Sequence, residues 1–336
     1  MTRRSVLAFA ATREHEREDR QSEQNQPVSH ERHYARALWA VCAAVLVAAG
    51  AVPAAAAPQP VARIATGAAP CGAASGLGSV WVAVYGTGRL IRIDPRSNRV
   101  VRRIRVARGI CPLAIGGGSV WVASDRTNVL YRVNPVRGSV VARIRVAEWP
   151  AHLAVAFGSV WVSAYERGTI ARIDLRTNRV TRVYMVGGNP SGIALADGSL
   201  WIAFGRNGSS LGGLDPASGE LTRIPLGHTG PGFLSFTAGS LWTTTADGYA
   251  LRVDPVTARV VAAFPIPGTP AEVGAAPDGT IWVAEKERNT ITRIDPEENR
   301  ILDVTGAGRG AFSIAVAAGD MWVTSFAGSD VWRFRS

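Results

Sequence analysis

The chain has 336 residues, 47% of them hydrophobic, with 36 Gly, 19 Pro and three Cys, which excludes a polar chain unable to build a core. Charged helix formers are scarce: Lys286 is the single lysine among 37 basic residues, and Val, Ile, Thr and Trp recur in short runs that favour strands. The formal net charge of +11 points either to an anionic partner or to solvated strand faces in an arginine-rich chain.

Residues 1–36 are polar, with "REHEREDRQSEQNQ" reading as an unstructured run. The apolar stretch "ALWAVCAAVLVAAGAVPAAAA" at 37–57 follows Arg36. A basic flank, an apolar run broken by Pro53 and a small-residue end describe a secretory signal peptide; the run is also just long enough for an uncleaved membrane anchor. "TRRSVL" at 2–7 is a poor twin-arginine motif, because charge resumes after "AFAA". Cys42 follows Val41 inside the apolar run, which does not suit a lipoprotein cysteine. Export disfavours nucleic acid as the anionic partner. It favours an anionic polymer or lipid head groups of the cell envelope.

From residue 58 onward one hexapeptide sets a ruler. "GSVWVA" at 78–83 recurs at 118–123, and "GSVWVS" follows at 158–163. The tryptophans Trp81, Trp121, Trp161, Trp201, Trp242, Trp282 and Trp322 stand 40 or 41 residues apart. About ten residues after most of them comes a second motif, such as "IRIDP" at 91–95, "YRVNP" at 131–135 or "LRVDP" at 251–255. Two further apolar runs complete each unit, for example "RVVRRIRV" at 99–106 and "PLAI" at 112–115. Four short strands per unit of about 40 residues predict a seven-bladed, all-β propeller over 58–336.

The ends test this prediction. The seventh unit stops at "VWRFRS", 331–336, where its third strand belongs, and a spare "VARI" stands at 61–64. The same "VARI" at 141–144 is the fourth strand of the second unit, and both copies end 17 residues before a ruler Trp. Residues 60–66 are therefore predicted to pair with 329–335 and close the ring, which leaves no open sheet edge. A monomer is expected.

The repeated residues read as building elements. Asp94, Asp174, Asp215, Asp254 and Asp295, with Asn134, precede turns and are expected to accept backbone N–H bonds there. Calcium ligation is the alternative, but these carboxylates are spread singly over the units. The ruler Trp is expected to fill the space between blades.

Function is expected where the units differ, in the loops that share one face around the channel mouth. Those loops bring Tyr85, Asp125, Arg126, Trp149, His152, Tyr165, Glu166, Arg206, His228, Tyr249, Glu272 and Glu285 towards one surface. Aromatics beside mixed charges suit a polar small molecule, a glycan or a peptide, and an envelope protein is the macromolecular partner expected. Cys71 and Cys111 both lie ten residues before a ruler Trp, at equivalent starts of adjacent inner strands. Inner strands converge on the axis, so a Cys71–Cys111 disulfide is expected in an exported protein. A metal or redox thiol pair is the alternative, without a nearby His to support it.

"PSGIALADGSLWIA" at 190–203 and "PDGTIWVAEKERNTITRI" at 277–294 resemble the repeat of the virginiamycin B (streptogramin) lyase superfamily and of YncE-like, YVTN-repeat propellers. The resemblance spans all seven repeats and implies the fold. It also implies a lyase that opens a cyclic depsipeptide by elimination, with a His at the start of an inner strand, a carboxylate just after a second-strand Trp, and magnesium. The column ten before each Trp holds Cys71, Cys111, Ala151, Ser191, Gly232, Glu272 and Phe312, with no His. The column four after it holds Tyr85, Asp125, Tyr165, Gly205, Ala246, Lys286 and Phe326, with one carboxylate. His152 is one place off and is expected to point the other way. The general base of the elimination is thus missing.

Two readings follow. The first is a non-catalytic propeller that binds a ligand at its mouth and needs no cofactor. The second is a divergent lyase or hydrolase using His152, Glu272 or Glu285 with magnesium. Two carboxylates and a His converging on one point at the mouth favour the second; dispersal favours the first.

Overall fold

The computed structural model describes residues 57–205 and 207–336. The polar run 1–36 and the apolar segment at 37–57, Ala57 apart, lie outside them. Among the described residues no helix is long and apolar enough to cross a membrane.

The described residues form seven four-stranded antiparallel sheets. Six are consecutive: 70–105, 110–145, 150–185, 190–225, 234–265 and 270–306. The seventh joins Ala311–Ala317, Asp320–Ser325 and Asp330–Arg335 to the N-terminal strand Pro60–Ala65. In that closure Ile64 pairs with Val331 and Arg63 with Trp332, and Thr66 N–H donates to the Ser329 carbonyl at 3.1 Å. The predicted pairing of 60–66 with 329–335 is therefore present.

The repeated Gly-Ser has a local cause. In the first blade, Pro70–Gly76 returns into Ser79–Val84 through Leu77 and Gly78, with φ of 53° and 69°. Two successive residues in the left-handed region make the tight turn that matches strand twist, and glycine takes it without steric cost. The glycine of this turn has a positive φ in every blade, from Gly78 to Gly319.

The ruler tryptophans separate the blades. Six of the seven are fully buried, and Trp201 is 8% exposed. Each shares a core cluster with the following blade: Trp81 packs with Val120, Val122 and Val133, and Trp322 with Val80, Val82 and Ile93. Seven such clusters fill the seven junctions. Losing one indole costs about 3–5 kcal/mol, because a packed junction relaxes little around the void.

The arginine of the second motif links the same parts. Arg132 Nε donates to Ser119 Oγ at 2.8 Å, its guanidinium lies 5.1 Å from the Trp121 ring centre, and its Nη1 reaches the Leu175 carbonyl and Asn178 Oδ1 of the next blade, both at 2.9 Å. Arg333 repeats this across the closure, to Asp320, Pro95 and Asn98. In the fourth blade Gly213 stands opposite Trp201 in place of an arginine.

The motif aspartates hold turns. Asp174 accepts from Thr177 N–H at 2.7 Å and Asn134 accepts from Arg137 N–H at 2.8 Å. Backbone N–H donation holds Asp94, Asp174, Asp215 and Asp254 below the usual carboxylate range.

Candidate functional site

The innermost strands of successive blades lie side by side around the axis. Their N-terminal ends open into a cavity of about 620 Å³. Two columns of the ruler build it. The position four after each Trp supplies Tyr85, Asp125, Tyr165, Lys286 and Phe326. The position ten before each Trp supplies Cys71, Cys111, Ala151, Ser191 and Phe312. Pro112, Trp149, Pro150 and Phe233 complete the lining.

The aromatic walls form two groups. Tyr85 meets Phe326 (6.3 Å between ring centres), Phe326 meets Phe312 (6.0 Å), and Phe312 meets Phe233 edge-on (5.4 Å). Trp149 and Tyr165 form the other group, 6.2 Å apart. Trp149 is half exposed and adopts a positive φ of 57°, an uncommon conformation for a bulky residue. Tyr165 lies over Gly205, where an added Cβ would stand 3.1 Å from the Tyr165 ring. The small residue in that column thus makes room for its neighbour's ring.

Among the described residues, one anion and one cation face this cavity. Asp125 Oδ2 accepts from the Tyr85 hydroxyl at 3.1 Å, and that hydroxyl accepts from Arg126 Nε at 3.1 Å. Arg126 therefore holds Tyr85 from the exposed side of the rim rather than lining the cavity. Lys286 Nζ lies 5.5 Å from the Phe312 ring centre. Among the described residues it has no hydrogen-bond or ion-pair partner. Burial draws its pKa down, against the opposing pull of the Glu287 and Glu285 carboxylates.

Cys71 and Cys111 form the expected disulfide, with Cα atoms 5.1 Å apart, and it faces the cavity. Ser191 Oγ lies 2.9–3.1 Å from the carbonyls of Ala203, Pro231 and Gly232. Its proton goes to a carbonyl, so it is a structural hydroxyl and not an activated nucleophile.

Below the mouth lies a chamber of about 70 Å³, which shares Cys111, Pro112, Ala151, Phe233 and Phe312 with it. His152 and Glu272 line this chamber. The expectation that His152 points away from its column is corrected here. The ladder shifts register between Pro150 and His152, and such a bulge re-aims the side chain into the chamber. His152 Nδ1 accepts from Ile193 N–H at 3.4 Å, which assigns its proton to Nε2. Burial lowers its pKa to about 4. Burial also raises Glu272 to about 7, although Ser313 Oγ and Ile314 N–H (3.2 Å) donate to its carboxylate.

The remaining predicted residues lie elsewhere. Glu285 is fully buried; its Oε1 accepts from Thr269 and Glu287 N–H, at 2.7 and 2.8 Å, and its Oε2 from Arg288 N–H. It folds a turn instead of facing the rim, the role its column partner Ser124 plays in accepting Thr127 N–H. His228 pairs with Asp247 at 2.9 Å and its ring lies 4.5 Å from Tyr249, outside the cavity. Glu166 is exposed beside Tyr165. Arg206 lies outside the described residues. Sequence reasoning missed Lys286, Phe233, Phe312 and Phe326 as lining residues, although three of them stand in the two columns already aligned.

The residues present do not fit a magnesium ion. Magnesium takes about six oxygen ligands in near-octahedral array. Among the described residues no three His, Cys, Asp or Glu side chains converge to hold a metal. Asp125 is in the mouth, Glu272 in the chamber and Glu285 in a turn.

No family model and no curated protein matches the chain. Solved structures do. A streptogramin B lyase superposes with a TM-score of 0.71 at 18% identity, over 83% of this chain and 96% of that one. A catalytically inactive His-to-Ala form of the virginiamycin B lyase of Staphylococcus aureus, solved with quinupristin, gives 0.72 at 17%, over 83% and 98%. The hydrazine synthase of Kuenenia stuttgartiensis gives 0.73 at 14%, over 81% and 97%. At such identities the likeness is one of fold. Proteins named for different activities share it equally, so the fold does not choose the chemistry.

Proposed function

We propose that this propeller binds a small zwitterionic molecule with a flat apolar body, such as an aromatic dipeptide, in its channel mouth. The observation that carries this reading is the column four after each ruler Trp. It places two tyrosines, a phenylalanine, one anion and one cation around one cavity. Aromatic faces take a flat body, and single opposite charges orient a zwitterion. A volume of about 620 Å³ suits a drug-sized ligand better than a glycan chain or a folded envelope protein. The apolar segment at 37–57 supports export, so the ligand is sought outside the cytoplasm.

The lyase reading has less support. His152 and Glu272 sit in a chamber of about 70 Å³, room for one or two waters but not for a substrate. The test is calorimetric titration of phenylalanyl-phenylalanine, free and with both termini capped. Binding of the free dipeptide is expected to weaken about tenfold or more on capping, and likewise in Asp125→Asn and Lys286→Met, a charge contribution of roughly 1.4 kcal/mol. Equal affinity for free and capped forms would overturn the proposal.

A further inference from the structure

We infer that Lys286 captures carbonyl compounds: an aldehyde or ketone seated in the mouth condenses with its Nζ to an imine. The inference rests on the mouth being a ligand site, and it goes beyond reversible binding.

Composition makes the position unusual. Of the 37 Lys and Arg residues of this chain all but one are arginine, and the exception lines the channel-mouth cavity. Arginine is permanently charged and supplies a cation wherever charge alone is wanted. What lysine adds is an amine that can lose its proton and act as a nucleophile. The local geometry serves that use. Nζ stands over the Phe312 ring, in a wall shared with Phe326, and no described carboxylate pairs with it. Glu285 on the same strand end has both oxygens committed to backbone N–H groups, and Glu287 accepts from Thr269 Oγ1. Across the cavity the titratable groups among the described residues are Asp125, Tyr85 and Tyr165. Partial desolvation, not an ion pair, thus governs the amine, and its lowered pKa enlarges the neutral fraction near pH 7.

The step balances without a further reagent. Neutral Nζ attacks the carbonyl carbon, and the N–C bond forms as the C=O π pair moves to oxygen. The carbinolamine then expels that oxygen with both amine hydrogens as water, leaving C=N. No electrons are exchanged with any other species.

The single lysine makes the test clean. The full chain is incubated with benzaldehyde and sodium cyanoborohydride at pH 7, digested, and mapped by mass spectrometry. The other amine is the α-amino group of the N-terminus, which serves as an internal reference. The expected result is benzylation of the Lys286 peptide at least ten times faster than of Nα-acetyl-lysine. Phe312→Ala is expected to bring that rate towards the free-lysine value. Labelling of Lys286 no faster than Nα-acetyl-lysine would overturn the inference. Dipeptide titration of the same preparation separates the two claims. Trapping lost with binding retained sinks the carbonyl step alone, whereas loss of both sinks the ligand site as well.

Discussion

Arg132 Nη1 of the second blade donates to Asn178 Oδ1 of the third at 2.9 Å, across a junction that Trp121 fills. This contact joins the two repeated motifs. Arg132 thus crosses its own tryptophan and ends on the turn of the next repeat. Arg252 and Arg333 make the same reach, onto Asn299 and Asn98, whereas Arg92 and Arg172 bond the serine of their own repeat.

Removing that link has a measurable cost. Arg132→Met keeps much of the stem but leaves the Leu175 carbonyl and Asn178 Oδ1 without their donor. A loss of about 1.5–3 kcal/mol in urea unfolding is expected, as for hydrogen bonds to a charged group. A loss under about 0.5 kcal/mol, the scatter of ordinary surface substitutions, would mean the guanidinium contributes nothing across the junction.

Closure of the ring rests on Ile64, 6% exposed in the strand that completes the seventh blade. Ile64→Ala is expected to lower stability by about 2–5 kcal/mol, the usual range for a buried aliphatic side chain. Val61 is 45% exposed in the same strand. Val61→Ala is expected to change stability by under about 0.5 kcal/mol. Similar effects for the two variants, measured by thermal unfolding, would contradict the closure.

The Cys71–Cys111 bridge closes a loop of 40 residues. Cys71→Ser with Cys111→Ser is expected to cost about 2–4 kcal/mol, with constraint of the unfolded chain as the main term. The double variant is also expected to keep the propeller's circular-dichroism spectrum, because the inner strands are held by their own ladders. Free-thiol counting of the native protein under denaturing conditions checks the bridge itself.

How much of this was readable in advance follows from periodicity. The ruler Trp fixes the strand columns, and with them the seven blades, the displaced strand at 60–65 and the Cys71–Cys111 pair. It does not fix what lines a cavity. Glu285 and Lys286 are neighbours in sequence, yet one turns inward to backbone N–H groups and the other into the mouth. His152 enters the chamber through a one-residue bulge, which no alternation pattern announces. The column four after each Trp was legible as a list, and its mixture of three aromatics, one anion and one cation sets it apart from the repeated building positions; that Lys286 and Phe326 face the cavity was not.

His152 and Glu272 give opposite pH dependences. The unfolded chain protonates His152 below about 6.5, while the folded protein keeps it neutral down to about 4. The unfolded state therefore binds the extra proton between pH 6.5 and 4, and stability falls as pH drops through that window. Glu272 holds its proton in the folded state up to about 7, against 4.5 when unfolded, so stability falls as pH rises from 4.5 to 7. The two slopes oppose each other in the wild type. Glu272→Gln is expected to show a Tm that rises with pH between 4 and 6.5, and His152→Gln one that falls between 4.5 and 7. Each slope integrates to about 3 kcal/mol at most. Slopes of the same sign in both variants would contradict these assignments.

The central claim is that the ligand site is the mouth built by the column four after each ruler Trp. Its most direct measurement is dipeptide affinity across matched aromatic truncations, with phenylalanyl-phenylalanine as the probe. Tyr165→Ala and Phe326→Ala, inside the cavity, are each expected to weaken binding by about tenfold or more, consistent with losing an aromatic contact of roughly 1.5 kcal/mol. Tyr249→Ala, on the neighbouring rim beside His228, is expected to leave it unchanged. Loss of binding in Tyr249→Ala with retention in the two mouth variants would place the ligand elsewhere on the propeller.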